Sequence, residues 1–422
     1  WITHDTKTNK SNLTTHNFLN MFNSLSIKVI IFGFIFTFFS SFGQSFFLGL
    51  FNNSIRETLF ITHGQFGSIY ASATLLSSIL LIWVGKKIDD INIFRFAFYV
   101  ALLLSFSCFL FSKISSIIFL FISVFLMRFS GQGLMSHTAT TTITRYFTKS
   151  RGKALSVGWF GLSSAEFILP VLIVYLLTIT VWQNIWISIS ILTLIFLPLA
   201  SFFLIKKLDF DTREQVESGD NEIKEIKQWK RIEVIKDYRF YIICLNMLAM
   251  PWIATGVFVY QSFITEAKEW GSFVIAQSFM VYSILSVVTL LGSGFLIDKF
   301  TSRKLLIFMN IPLLFSTLVL FFFDNPITSF IFLGLIGISN GLANVLGSST
   351  WAEIYGVKFI GSIKALTTAL MVFSTAFGTA LFGFLIDRGF SIEQIAMISF
   401  IYISLSLILL FFVRNKLNPQ YI

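Results

Sequence analysis

Two ionisable residues, Arg128 and Glu166, lie in the middle of long apolar runs of this sequence. A charge at that depth in a bilayer costs at least about 2.5–3.5 kcal/mol on insertion scales, so such residues usually carry function. A buried guanidinium can bind an anionic group, and a buried carboxyl group can take up and release a proton. At a rise of 1.5 Å per residue, each lies about 18 Å from one membrane surface, so their depths match.

Three interpretations of these two residues remain open. In the first, Arg128 binds an anionic substrate and Glu166 is a proton carrier or counter-ion. In the second, the two residues form a proton relay and the substrate binds elsewhere. In the third, they form a buried structural ion pair. Contact between them in at least one transport state would offset much of the cost of burying either charge alone.

Other polar residues fall within the same apolar runs. Gln132 lies one helical turn from Arg128, so we expect it to face the same way. His137 lies nine residues past Arg128, on the opposite side of a regular helix. A histidine can carry protons, and the alternative is a packing role. Further candidates are Gln44, Asn246, Asn340 and Asn344. The alternative for each is a hydrogen bond to a neighbouring helix.

The composition indicates which elements position these residues. Of the 422 residues, 55% are hydrophobic and only 12% are charged, against about 25% charged in soluble domains. This composition argues against a water-soluble enzyme. Cys108 and Cys244 both lie in apolar runs and build neither a disulfide scaffold nor a zinc site. Residues 1–20 are polar, and we expect them to be a disordered or non-native extension.

Twelve apolar runs are long enough to cross a membrane, since a spanning helix needs about 20 such residues. They predict an all-α integral membrane fold of two pseudo-symmetric six-helix bundles, 21–205 and 238–422, joined by a hydrophilic linker, 206–237. The runs cover residues 26–50, 66–84, 94–112, 116–138, 154–178, 182–205, 238–262, 273–297, 304–323, 328–349, 364–385 and 393–413.

The basic residues predict the orientation of these spans. Most of the 31 Lys and Arg fall in the linker, near the two termini, or in loops on the same side of the membrane as both. Cytoplasmic loops carry such an excess, so we expect cytoplasmic termini and a location in the inner membrane. This placement accounts for the net charge of +10 without a nucleic-acid partner.

The two halves of the chain repeat one another. Gly85 and Asp89, after the second run, recur as Gly294 and Asp298 at an offset of 209 residues, and Gln132 aligns with Asn340 at 208. The segments 146–155 and 355–366 also correspond. Parallel repeats of this kind place a substrate site near the midplane between the halves.

From about residue 21 onward, these motifs resemble the major facilitator superfamily. The family's loop signature is Gly, three residues, Asp, Arg or Lys, one residue, Gly, then basic residues. In the second half it matches Gly294, Asp298, Lys299 and Arg303, with Thr301 in place of the later Gly. The first half keeps Gly85, Asp89 and Arg95 but has Asp90 where a basic residue is usual and Asn92 where Gly is usual. The string YFTKSRGKALSVGWFG resembles the subgroup of monocarboxylate and oxalate–formate porters.

The resemblance implies a secondary transporter that works by alternating access, with the signature loops as gates and runs 1, 4, 7 and 10 lining the cavity. We expect a small organic solute, favouring an organic anion because the one buried cation lies on run 4, and coupling to protons. The alternatives are a proton-driven efflux pump for amphipathic compounds and, less favoured, a transport-dead receptor. No GxxxxGK[ST] loop is present, so ATP is not the energy source.

These features also define the expected partners. They are a small-molecule substrate, protons and the lipid bilayer, with no nucleic acid, for a monomeric protein. We expect no enzymatic activity, no cofactor and no metal, because the sequence contains no catalytic or metal-binding motif.

Overall fold

A computed structural model describes residues 24–147, 151–206, 227–356 and 359–419. The predicted extension, 1–20, and most of the predicted linker lie outside these residues. The described part is helical, without a strand. Twelve of its helices are long and apolar enough to cross a membrane, which confirms the twelve predicted runs and the fold class. We number them as spans 1 to 12.

The first half contains spans 1 to 6. A helical span satisfies its backbone hydrogen bonds internally, as the hydrocarbon core requires. The bounds are Ser24–Ser40 continued by Ser41–Gly43 and Ser45–Gly49 for span 1, His63–Lys86, Ile93–Phe111, Ile117–Met127 continued by Arg128–Met135 and Ser136–Tyr146 for span 4, Arg151–Ile179 and Trp182–Ile205. A short helix, Asn52–Leu59, joins spans 1 and 2.

The second half contains spans 7 to 12, preceded by the helix Arg231–Lys236. Span 7 is followed by a short helix, Gln261–Ala267. The bounds are Tyr238–Val259, Ser272–Phe300, Ser302–Leu305 continued by Leu306–Phe308 and Ile311–Phe322 for span 9, Thr328–Tyr355, Ile360–Asp387, and Ile392–Val413 continued by Arg414–Lys416 for span 12.

Spans 1 and 4 are interrupted, which the sequence did not predict. Span 1 tightens into a 3₁₀ turn at Ser41–Gly43 and then becomes extended at Gln44, with ψ 153°. Span 4 widens into a π-helical segment at Arg128–Met135. The two irregular segments touch, because a Cβ on Gly43 would stand only 2.9 Å from the Cα of Gly131. Two glycines therefore let the interrupted backbones meet.

The described hydrogen bonds between the two halves are not spread evenly over the depth of the bundle. We call the end that carries residues 50–62 and 388–391 the far face, and the end that carries the start of span 1 and the end of span 12 the terminal face. Every described hydrogen bond between the halves lies at mid-depth or toward the far face. The bonded pairs are Asn52 with Val259, Phe46 with Gln261, His63 with Tyr260, Thr62 and Gly64 with Asp387, and Ser163 with Ser283.

Candidate functional site

Arg128 lies against the break in span 1. Its side chain is 2% exposed. The Nη1 group donates to the Gly43 carbonyl oxygen at 3.0 Å and to Ser45 Oγ at 3.3 Å. Gly43 O is an available acceptor because the change from 3₁₀ turn to extended backbone takes it out of the regular helical ladder. The interruption of span 1 thus supplies the partners of the buried guanidinium on span 4.

The same cluster keeps several hydrogen-bond donors free. Arg128 Nε is buried without a partner, and Nη2 has no described hydrogen bond. The Tyr70 hydroxyl donates to Ser45 Oγ at 3.0 Å, and the Tyr70 ring centroid lies 5.4 Å from Arg128 Cζ. Ser45 Oγ therefore accepts two hydrogen bonds and keeps its own proton to donate. The free donors of this cluster, on Arg128 and Ser45, suit an anionic group.

Glu166 lies on span 5, away from this cluster. The described part of the chain contains no ion pair between Arg128 and Glu166. The expected contact between the two charges is therefore not made in this structure. The guanidinium is bonded to uncharged groups, and its charge has no described carboxylate partner.

Glu166 instead lies at the contact between spans 5 and 8. Ser283 Oγ on span 8 donates to the Ser163 carbonyl oxygen on span 5 at 2.6 Å. Glu166 follows Ser163 by three residues and so shares its face, and it interacts electrostatically with Tyr282 of span 8. Glu166 is 8% exposed, and none of the described groups hydrogen-bonds to it. A buried carboxyl group without a partner thus lies where the two halves meet.

The other candidates on spans 1 and 4 divide into two environments. Gln44 and Gln132 are half-buried and lie at the crossing of the two interrupted segments, where a Cβ on Gly43 would stand 2.5 Å from Gln132 N. Both therefore lie in the chain segments that adjoin Arg128, and the prediction that the Gln132 side chain faces the same way stays a prediction. His137 lies elsewhere, with Nε2 3.0 Å from the Gly85 carbonyl oxygen at the end of span 2. It ties span 4 to the first gate loop.

The three asparagines of the second half are in three different environments. Asn246 is fully buried, and neither polar atom of its side chain has a partner. Its carbonyl oxygen accepts a hydrogen bond from Asn310 Nδ2 of span 9. Asn340 donates to Ser286 Oγ of span 8 at 2.9 Å, which joins spans 8 and 10, and Asn344 is exposed. The structure therefore does not bring these residues into one cluster with Arg128.

The second gate loop is fixed by Glu353 at the end of span 10, a residue that the sequence analysis missed. Its carboxylate pairs with Arg303 Nε at 3.0 Å and also accepts hydrogen bonds from the backbone N–H of Ser302 at 2.9 Å and from the Ser302 hydroxyl. The residue 208 positions earlier is Arg145, which donates to the Ile88 carbonyl oxygen at 3.1 Å. Each half thus anchors its gate loop with a charged residue at the same repeat position.

The remaining gate-loop candidates have few described contacts. Gly85 is buried beside His137, and Arg95 and Lys299 are exposed. For Gly294, Asp89 and Asp298 the structure describes only the course of the backbone. The gating role predicted for these residues stays a prediction.

Replacing Glu353 by glutamine is expected to loosen the loop between spans 8 and 9. Hydrogen bonds to a charged group contribute about 1.5–3 kcal/mol, so we expect a lower melting temperature and a faster proteolytic cut near Ser302. Glu269→Gln is the matched control, because Glu269 is exposed at the far face. Equal melting temperatures for the two variants would contradict an anchoring role for Glu353.

Several site residues were missed because their partners are distant in sequence. Ser45 and Tyr70 look like ordinary span residues, and only their contact with Arg128 distinguishes them. A signal was present for span 1, since the small and polar cluster from Ser40 to Gln44 interrupts a phenylalanine-rich run. In the described part of the chain, no three His, Cys, Asp or Glu side chains are grouped so that they could hold a metal ion.

Comparisons with known proteins agree with this architecture. Residues 33–379 match the sequence family described as the Major Facilitator Superfamily. A bacterial homologue of the human lysosomal transporter Spinster, solved in an inward-facing and unoccupied conformation, superposes with a TM-score of 0.68 at 11% identity, covering 94% of this chain and 99% of that one. The nucleoside transporter NupG superposes with a TM-score of 0.69 at 12% identity, with the same coverage. No curated protein matches the sequence.

Proposed function

The chain belongs to the Major Facilitator Superfamily, and from this premise we propose that it carries a small organic anion across the membrane in a proton-coupled cycle of alternating access. The family identifies a multi-pass secondary transporter rather than an enzyme. The class of substrate and the coupling ion follow from the site described above. We propose that one copy of the chain is the working unit.

The observation that carries the choice of substrate is the buried guanidinium of Arg128. Arg128 lies near the middle of span 4, it is buried, and no carboxylate of the described structure pairs with it. An uncompensated buried charge is costly, and an anionic substrate group would supply the missing charge. The free donors on Arg128 and Ser45 suit a carboxylate, which accepts two parallel hydrogen bonds from a guanidinium. The resemblance of the segment after span 4 to monocarboxylate porters supports the same class.

Proton coupling is supported by Glu166. An ionised carboxylate without a partner is expensive to bury, whereas the protonated acid is far less so. Glu166 lies at the contact between spans 5 and 8, so movement of the halves changes its exposure to water. We propose that Glu166 takes up a proton on one side of the membrane and releases it on the other.

The described hydrogen bonds between the halves lie at mid-depth or toward the far face, and this supports a proposal for the state and orientation. We propose that the structure represents a conformation closed at the far face and accessible from the terminal face. The excess of basic residues on the terminal side supports a cytoplasmic terminal face. In an inner membrane, this conformation would be inward-facing.

A second candidate is proton-driven export of amphipathic compounds. It is favoured by the two hydrogen bonds that Arg128 makes to span 1, because these give the guanidinium a role within the protein. In this alternative Arg128 would tune the protonation cycle, and the substrate would bind to apolar side chains. Ligand class separates the two candidates, since the exporter would prefer lipophilic cations to carboxylates.

A screen of ligand binding and uptake tests the proposed substrate class. We expect mono- and dicarboxylates to raise the melting temperature of the purified protein, because binding stabilises by about 2.7 kcal/mol at 100 times Kd. The same compounds should accumulate in proteoliposomes when a proton gradient is imposed, and a protonophore should abolish accumulation. Stabilisation by lipophilic cations alone would favour the exporter.

A further inference from the structure

Tyr260 joins the two halves at the far face. It follows span 7, its side chain is 1% exposed, and its hydroxyl lies 2.9 Å from the carbonyl oxygen of His63 and 3.0 Å from that of Thr379. His63 begins span 2 in the first half, and Thr379 lies on span 11 in the second. One phenolic proton is therefore shared between a carbonyl of each half.

The space around the Tyr260 hydroxyl exists because the neighbouring residues are glycines. A Cβ added to Gly67 of span 2 or to Gly383 of span 11 would overlap the Tyr260 hydroxyl oxygen. A Cβ on Gly64 would stand 2.5 Å from Asp387 Oδ2, closer than real Cβ contacts. Spans 2 and 11 thus approach as closely as they do only with hydrogen atoms at these positions.

Asp387 joins spans 2 and 11 at the far face. Its Oδ2 accepts hydrogen bonds from Thr62 Oγ1 at 2.6 Å and from the backbone N–H of Gly64 at 2.8 Å. Thr62 is itself the N-cap residue of span 2. The carboxylate at the end of span 11 therefore lies at the positive end of the span 2 helix dipole, which favours a negative charge.

Charges nearby also act between the halves. Partial burial lowers the pKa of the Arg56 guanidinium, while the Glu266 carboxylate of the second half, with smaller effects from Tyr260 and Asp387, acts in the opposite direction. Arg56 belongs to the short helix of the first half. The attraction between Arg56 and Glu266 favours the conformation in which the far face is closed.

We propose that Tyr260, Asp387 and the glycines Gly64, Gly67 and Gly383 form a latch that sets the equilibrium between the two access states. We call this group the far-face latch. The inference rests on the proposed alternating-access function. Each hydrogen bond of the latch is replaced by one to water when the far face opens, so its net contribution is small and the latch is reversible. The glycines supply the fit that makes closure possible.

Replacing Gly67 by alanine tests the latch. The added methyl group overlaps Tyr260 only when the far face is closed, so we expect the population with an open far face to rise about tenfold or more. Pulsed EPR between labels at Ser115→Cys and Ala267→Cys measures the far face, and labels at Lys86→Cys and Lys299→Cys measure the terminal face. All four positions are exposed, and the native cysteines, Cys108 and Cys244, are buried.

The control is Gly292→Ala on span 8, where an added Cβ would meet no atom within 4 Å. We expect Gly67→Ala to lengthen the far-face distance and shorten the terminal-face distance, and Gly292→Ala to change neither. Tyr260→Phe keeps the ring but loses both hydrogen bonds, and should raise the open population by about fivefold. If Gly67→Ala does not fold, the distances measured in Tyr260→Phe test the far-face latch.

Wild-type distances in folded Gly67→Ala, or in Tyr260→Phe where the first variant does not fold, would overturn the latch. These measurements require no substrate, so they separate the latch from the proposed function. A shift in distance without uptake of any carboxylate would retain the latch and refute the substrate class. Normal carboxylate uptake with unshifted distances would retain the substrate class and refute the latch.

Discussion

Replacing Arg128 by glutamine is expected to reduce the uptake of organic anions by about 10- to 200-fold in kcat/KM. The estimate follows from the loss of charge-assisted hydrogen bonds to a carboxylate, which contribute about 1.5–3 kcal/mol. Thermal stability should change little, because no described carboxylate is left unpaired when the guanidinium is removed. Uptake into proteoliposomes and the melting temperature of the same preparations measure both effects.

The comparison between Arg128→Gln and Arg128→Lys shows which property of the guanidinium matters. Lysine keeps the charge but cannot bind a carboxylate through two parallel hydrogen bonds, so we expect uptake between those of the wild type and the glutamine variant. Arg95→Gln is the control, since Arg95 is exposed outside the site. Wild-type uptake by Arg128→Gln with a large loss of stability would assign Arg128 to structure alone.

Depth in the membrane could be predicted from the sequence, because it depends only on the count of residues along a helix. Arg128 and Glu166 were identified on that basis, and both are buried. The direction of a side chain around the helix axis is less predictable. A regular turn of 3.6 residues was assumed for span 4, whereas Arg128 begins a π-helical segment and meets a break in span 1. The ion pair with Glu166 is not made in this structure, where Arg128 is bonded to Gly43 and Ser45, and its formation in another transport state stays a prediction.

Contacts between the halves depend on the conformational state, which no local pattern encodes. The repeat predicted two bundles around a midplane site, and twelve spans are present. Asp387 bonds to Thr62, 325 residues away, and neither residue belongs to a motif. Glu353 is different, because its position repeats that of Arg145 and the offset could have identified it. The fold was thus largely predictable, whereas the site was predictable only in its two buried charges.

Glu166→Gln is expected to abolish proton-driven accumulation while sparing exchange of substrate across the membrane. Glutamine has the shape of the protonated acid but cannot ionise, so the two halves can still close over it while no proton is taken up or released. One coupled proton supplies about 2.7 kcal/mol across a gradient of two pH units, or about 100-fold accumulation. The variant should lose this factor and retain a rate of counterflow close to that of the wild type.

The surroundings of Glu166 make this experiment specific. Of the spans packed against span 5, span 8 supplies Tyr282, which interacts electrostatically with the carboxyl group. The charged groups Lys28 and Arg145 of spans 1 and 4 lie toward the terminal face, and His137 is bonded to Gly85. The matched control is His137→Gln, which removes the other titratable candidate in this region. Loss of accumulation in the histidine variant alone would move the proton site to His137.

A double-mutant cycle of Arg128→Gln and Glu166→Gln then tests whether the two charges act on one another. They share no described partner, because Arg128 is bonded to Gly43 and Ser45 and Glu166 lies against span 8. For independent sites, the changes in the free energy of unfolding caused by the two single substitutions add within about 0.5 kcal/mol, and we expect this result. A coupling well above that value would mean that the charges meet in the state open at the far face. Because a carboxylate substrate would then compete with Glu166 for Arg128, substrate should abolish the coupling, whereas an amphipathic cation should leave it unchanged.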